Sequence, residues 1–144
     1  MTRLSELMAT VGYLLLQWGF TEDTLLEAID RLGTKAPSVP RLHDWKAAHV
    51  VASGNDPAHM SRVRQVMEKV EPARLMRNAV SHGLRSASAN PFAEEEPCVV
   101  CRTAEGTSIT YTQRDIEAQI ASLERLRADL DGLTEAALRL KRLI

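Results

Sequence analysis

Arg74, Arg77, Asn78, His82 and Arg85 crowd into a short stretch of the chain, and Gly83 directly follows the histidine. Each type brings a distinct chemistry. An imidazole moves protons near neutral pH, a guanidinium grips phosphate oxygens through a rigid fork of N–H groups, and a carboxamide both donates and accepts. At about 100° per residue, Arg74, Arg77, Asn78, Ser81 and His82 share one side of a helix, while Leu75, Met76, Ala79 and Val80 form an apolar arc on the other. Asn78 and His82 stand one turn apart and Arg77 adjoins Asn78, so the three can converge on one small group. The charge distribution places any anion site on this central helix. Residues 59–85 hold six basic and two acidic side chains, a local charge of +4, whereas residues 1–58 sum to −2 and residues 86–144 to −3.

These residues need helices to position them. Leu4, Met8, Val11, Leu15 and Trp18 recur every three or four residues and predict an amphipathic helix ending near Gly19. Thr24 to Glu27 has the spacing of a capping box, and with Leu25, Ala28, Ile29 and Leu32 before Gly33 it predicts a short second helix. Pro37 and Pro40 mark a linker to a third helix carrying Leu42, Trp45, Ala48, His49 and Ala52. Asp56-Pro57 reads as an N-cap followed by proline at the first helical position, starting a helix through Met60, Val63, Met67 and Val70. Pro72 is expected to kink or restart that helix, which then runs through the basic segment to a C-cap at Gly83.

The stretch from Ser86 to Pro97, small and polar and then acidic at Glu94, Glu95 and Glu96, reads as an exposed loop. Cys98 to Arg102 and Ser108 to Thr112 flank a turn with Gly106 and form a small β-hairpin. From Asp115 a long helix follows, its stripe of Ile116, Ile120, Leu123, Leu126, Leu130, Leu133, Ala137, Leu140 and Ile144 serving as a core seam or a dimer coiled coil. The expected fold is one all-α domain over residues 1–144, an antiparallel up-and-down bundle of four to five helices with a hairpin at about 98–112.

Composition narrows the function classes. A chain of 144 residues with net charge −1, 44% hydrophobic and 26% charged residues can bury a core, and is neither disordered nor a polycation. No apolar run reaches the roughly 18 residues that span a bilayer, and no leader pattern is evident, so no membrane partner is expected. Two cysteines cannot staple a secreted mini-domain, which makes a reducing cytoplasm the expected compartment. Cys98 and Cys101 have CxxC spacing but lack a second ligand pair, and read as half-buried free thiols. No metal or other cofactor is expected. Trp18, Trp45 and His49 read as core residues, and His43 and His59 as surface groups near helix starts.

The segment Arg77-Asn-Ala-Val-Ser-His82-Gly83 resembles the Arg-x4–6-His signature of the HEPN superfamily of helical RNases and nucleotide-binding domains. The order of elements is also similar over most of the chain: a motif helix ending in His-Gly, a loop or hairpin, and a long closing helix. The resemblance implies a metal-independent endoribonuclease, active as a homodimer in which two motif helices build a composite cleft on RNA. Arg77, Asn78 and His82 would be its catalytic residues, with Arg74 and Arg85 as further phosphate contacts. It also implies a toxin or defence setting, with an antitoxin as partner. Toxins of this kind that pair with a nucleotidyltransferase often carry Tyr two residues beyond the motif histidine, where this chain has Leu84. The competing expectation is a catalytically inactive helical homodimer or antitoxin-like partner, in which Arg77, Asn78 and His82 bond across an interface. A helix-turn-helix module ranks below both, for want of a short turn before a basic recognition face.

Overall fold

The computed structural model describes residues 3–35, 37–38, 41–89 and 95–144. Four helices and three strands follow one another: α1 (Arg3–Arg31), α2 (Leu42–Ser53), α3 (Pro57–Gly83), β1 (Leu84–Ser88), β2 (Cys98–Arg102), β3 (Ser108–Thr112) and α4 (Gln113–Leu143). The chain is mostly helical, yet an all-α description is incomplete because the strands form an antiparallel sheet in the order β1-β2-β3. The hairpin falls on the expected residues. The correction lies at residues 86–88, which were expected in a loop but pair with Val100, Val99 and Cys98. Small polar side chains there carry no strand pattern, and all five β1 residues are exposed, so pairing with β2 rather than burial holds them extended.

Two compact units divide the chain, residues 1–18 with 72–123 and residues 19–71 with 124–144. In the first, Leu7, Leu14, Ala73, Val99, Cys101, Ile116 and Leu123 are fully buried. The stripe expected on α1 is therefore misphased: Val11 and Trp18 are buried, but Leu4, Met8 and Leu15 are 48%, 42% and 39% exposed. Both faces of this segment are apolar, so spacing alone could not choose between them. The start of α4 is well closed. Thr112 and Asp115 exchange hydrogen bonds as a capping box at 2.9 and 3.1 Å, and Gln113 and Arg114 donate their N–H groups to Pro97 O and Glu96 Oε1.

In the second unit, Leu25, Ile29, Trp45, Ala48, Val63 and Leu130 are among the buried core. The two helices expected before Gly33 are one. Gly19 costs only about 1 kcal/mol in a helix, and Thr24 Oγ1 donates back to Phe20 O instead of capping a new start. Gly33, at φ +85°, ends α1 as expected, with the Thr34 N–H bonded to Ile29 O and the Gly33 N–H to Asp30 O. Asp56 caps α3 through the His59 N–H at 2.9 Å, and α3 continues through Pro72 without a restart. The α4 stripe is buried as far as Ala137, after which Leu143 and Ile144 are exposed. Pro40 and Glu94, assigned above to a linker and an acidic loop, lie outside the described residues.

Candidate active site

The basic segment occupies the last turns of α3, and its polar side chains divide between two settings. Arg74, Asn78 and His82, spaced four residues apart along one edge, line a cleft of about 760 Å³ in the first unit. Arg85 from β1 joins them, and the opposing wall includes Arg102, Glu105, Ile109 and Tyr111. His82 is exposed and Asn78 half-buried. Arg77 is not on the cleft. Its Nη1 donates to Asn78 Oδ1 at 3.1 Å, so Asn78 keeps its NH2 group for a ligand. Four of the five expected residues thus meet in the cleft, and the fifth holds one of them.

Gly83 makes this proximity feasible, for a reason other than the expected C-cap. It is not a left-handed terminator, since α3 passes directly into β1. A Cβ on Gly83 would stand 2.0 Å from the carbonyl oxygen of Arg102, so only glycine lets the helix end approach β2. Close approach at this point brings His82 and Arg102 to one cavity. Leu75, expected in the buried arc, is 51% exposed and contributes apolar surface to the cleft together with Ala79. The core side of the helix is instead Ala73, Met76 and Val80.

The cleft favours anions. Arg74, Arg85 and Arg102 outnumber Glu105, its one carboxylate among the described residues. Arg102 spends its Nε on Gly106 O at 3.3 Å, which orients the guanidinium from within its own turn. Arg102 and Tyr111 were missed from sequence because the hairpin was read as structure alone. Alternation along the strands sets Arg102 and Tyr111 on opposite faces of the sheet, so strand pattern carries no signal for their grouping, and they share the cleft only because the hairpin lies against the end of α3.

Other reactive groups lie elsewhere. Cys101 is buried and its thiol is pushed up by burial, while Cys98 is half-buried; both are free. His49 is buried as expected, but His59 is a correction: it is 3% exposed, with Nε2 2.9 Å from His49 Nδ1. Position near a helix start had suggested a surface group, but α3 begins inside the second unit's core, where Met60 and Val63 are also buried. His49 is held at about 4 by burial and by the neighbouring His59, and His59 is lowered chiefly by burial. Among the described residues no three His, Cys, Asp or Glu side chains gather as a metal site, and no helix is long and apolar enough to cross a membrane. Comparison with protein-family models, curated proteins and solved structures finds no match for the chain.

Proposed function

We propose that this protein is a metal-independent endoribonuclease of HEPN type, acting as a homodimer in a toxin or defence role in the cytoplasm, with an antitoxin partner where it serves as a toxin. The observation that carries the reading is the shared cleft: an exposed imidazole, a carboxamide and three guanidinium groups facing one cavity. His82 takes the proton of a ribose 2′-OH, or delivers one to the leaving 5′-oxygen. The 2′-oxygen bonds to phosphorus as the bond from phosphorus to the 5′-oxygen breaks, leaving a 2′,3′-cyclic phosphate and a 5′-hydroxyl. Arg74 and Arg85 bind the phosphate, while Asn78, anchored by Arg77, donates to it or orients His82. Arg77 acts on phosphate directly where a second copy faces the first. Exposed Leu4, Met8, Tyr13, Leu15 and Leu16 on α1 supply apolar surface that supports association.

The test is incubation of wild type and an Arg77→Ala/His82→Ala variant with labelled RNA in excess EDTA, followed by analysis of product ends. Cyclic-phosphate ends from wild type alone are expected, with loss of rate in the variant on the order of 100-fold or more and with DNA left intact. Absence of cleavage by either protein across varied RNAs overturns the nuclease. One observation favours the second reading, an inactive interaction homodimer or antitoxin-like partner: Arg77 lies off the cleft and is engaged with Asn78. Under that reading the double substitution weakens self-association and no RNA is cut.

A further inference from the structure

The wall opposite α3 differs in chemistry from the helix. Tyr111 and Ile109 alternate along β3 and so face the same side of the sheet. Their register partners on β2 are Val99 and Cys101, both fully buried. Cross-strand partners share a face, so Tyr111 and Ile109 stand beside this buried pair on the inner side of the sheet, and, each half-buried, they present their remaining surface to the cleft. Burial raises the Tyr111 hydroxyl above its ordinary range, which keeps this wall uncharged. Guanidinium groups therefore stand beside an aromatic ring and an aliphatic side chain in one cavity, whose volume of about 760 Å³ suits a small ligand or a few groups of a larger one.

We propose that Tyr111 is a nucleobase platform and that the site takes single-stranded RNA, a base packing on the Tyr111–Ile109 wall while its phosphates lie along Arg74, Arg85 and Arg102. The chemistry at phosphorus rests on the nuclease reading above, whereas the binding of base and phosphate together does not. A purely anionic ligand would leave the aromatic wall unused. In a duplex each base is stacked between neighbours and cannot offer its face to a side chain, so only an unpaired base uses both halves of the cleft.

The experiment measures binding of short 2′-O-methyl oligonucleotides, which cannot be cut by 2′-OH attack, by fluorescence anisotropy. Wild type, Tyr111→Phe and Tyr111→Leu are compared on a single strand and on a duplex. The expected result is a single-strand affinity retained within about twofold by Tyr111→Phe and weakened roughly 5- to 100-fold by Tyr111→Leu, the range for loss of one base–aromatic stack. Duplex binding should be weaker and indifferent to the substitution. Equal single-strand affinities for all three proteins, or duplex binding as tight and as dependent on Tyr111, overturn the proposal. Photocrosslinking of a 5-iodouridine oligonucleotide to wild type decides the matter even if Tyr111→Leu does not fold: adducts on Tyr111 support the platform, and adducts confined to α3 overturn it. Tyr111-dependent binding without RNA cleavage would leave the platform standing and remove the nuclease. Cleavage with an unchanged KM in Tyr111→Leu would do the reverse.

Discussion

The two units use histidine in opposite ways. In the first, His82 is exposed at a helix end and shares an open cationic cleft with Asn78 and three arginines. In the second, His49 and His59 are buried against each other, with the ring of Trp45 edge-on to His49 at 4.6 Å between centroids. Trp45 Nε1, His49 Nε2 and His59 Nδ1 have no hydrogen-bond partner among the described residues. Solvent reaches His82, whereas the buried pair resists protonation because an imidazolium in that interior would lose its hydration. Arg62 and Asp56 are the charges acting on His59, and they oppose each other. Residue type alone would have ranked the three histidines equally.

The contrast breaks most severely at Gly83. Gly83→Ala forces a methyl against the Arg102 carbonyl, and the resulting strain or displacement is expected to cost roughly 3 kcal/mol, read as a lower midpoint in urea unfolding. The same shift separates the helix end from β2, so RNA binding should weaken in the fraction still folded. An unchanged midpoint would show that the sheet and helix can part freely and that the cleft is not preformed.

Acid sharpens the contrast from the second unit. His49 has an ordinary value of 6.5 in the unfolded chain and about 4 in the fold, so between these values the unfolded state binds more protons. Stability is therefore full above about pH 6.5 and falls as the pH drops toward 4, by up to about 3 kcal/mol from this group. His59, also lowered, adds to the same slope. Hydrogen exchange at pH 7 and pH 5 should show α2 and the start of α3 losing protection, and His49→Phe should flatten the dependence. A stability unchanged over that interval would mean that the imidazoles are solvated in the fold.

The smallest effect concerns the entry to α4. Thr112→Ala removes the side chain that accepts the Asp115 N–H and should cost about 1 kcal/mol in thermal or urea unfolding, with RNA binding unaltered. A change in RNA affinity would mean that the capping box also sets the position of neighbouring Tyr111.

Much of the fold was legible because local rules agreed with each other. Asp56-Pro57, the Gly33 stop, the β2–β3 hairpin and the long α4 all follow from cap chemistry, backbone restriction and periodicity over many residues. The joined α1 was not legible, since a weak breaker at Gly19 and a good cap sequence at Thr24 mimic a boundary that long-range packing overrides. Strand β1 was hidden for a different reason: exposed small residues carry no pattern, and only the neighbouring strand makes them extended. Of the candidate site, the grouping of Arg74, Asn78 and His82 was visible in helical spacing, while the approach of Arg85 from β1 and the turning of Arg77 onto Asn78 were not.

Sequence by itself determined that α3 would present Arg74, Asn78 and His82 along one edge, because helical geometry is periodic and local. The opposite wall of the cleft was decided only by tertiary structure. Arg102 and Tyr111 lie far along the chain from Arg74 and Asn78, and they share a cavity because a glycine without a side chain lets a helix end touch a strand carbonyl. Burial of His59 was decided in the same way, since exposure is a property of packing rather than of residue type.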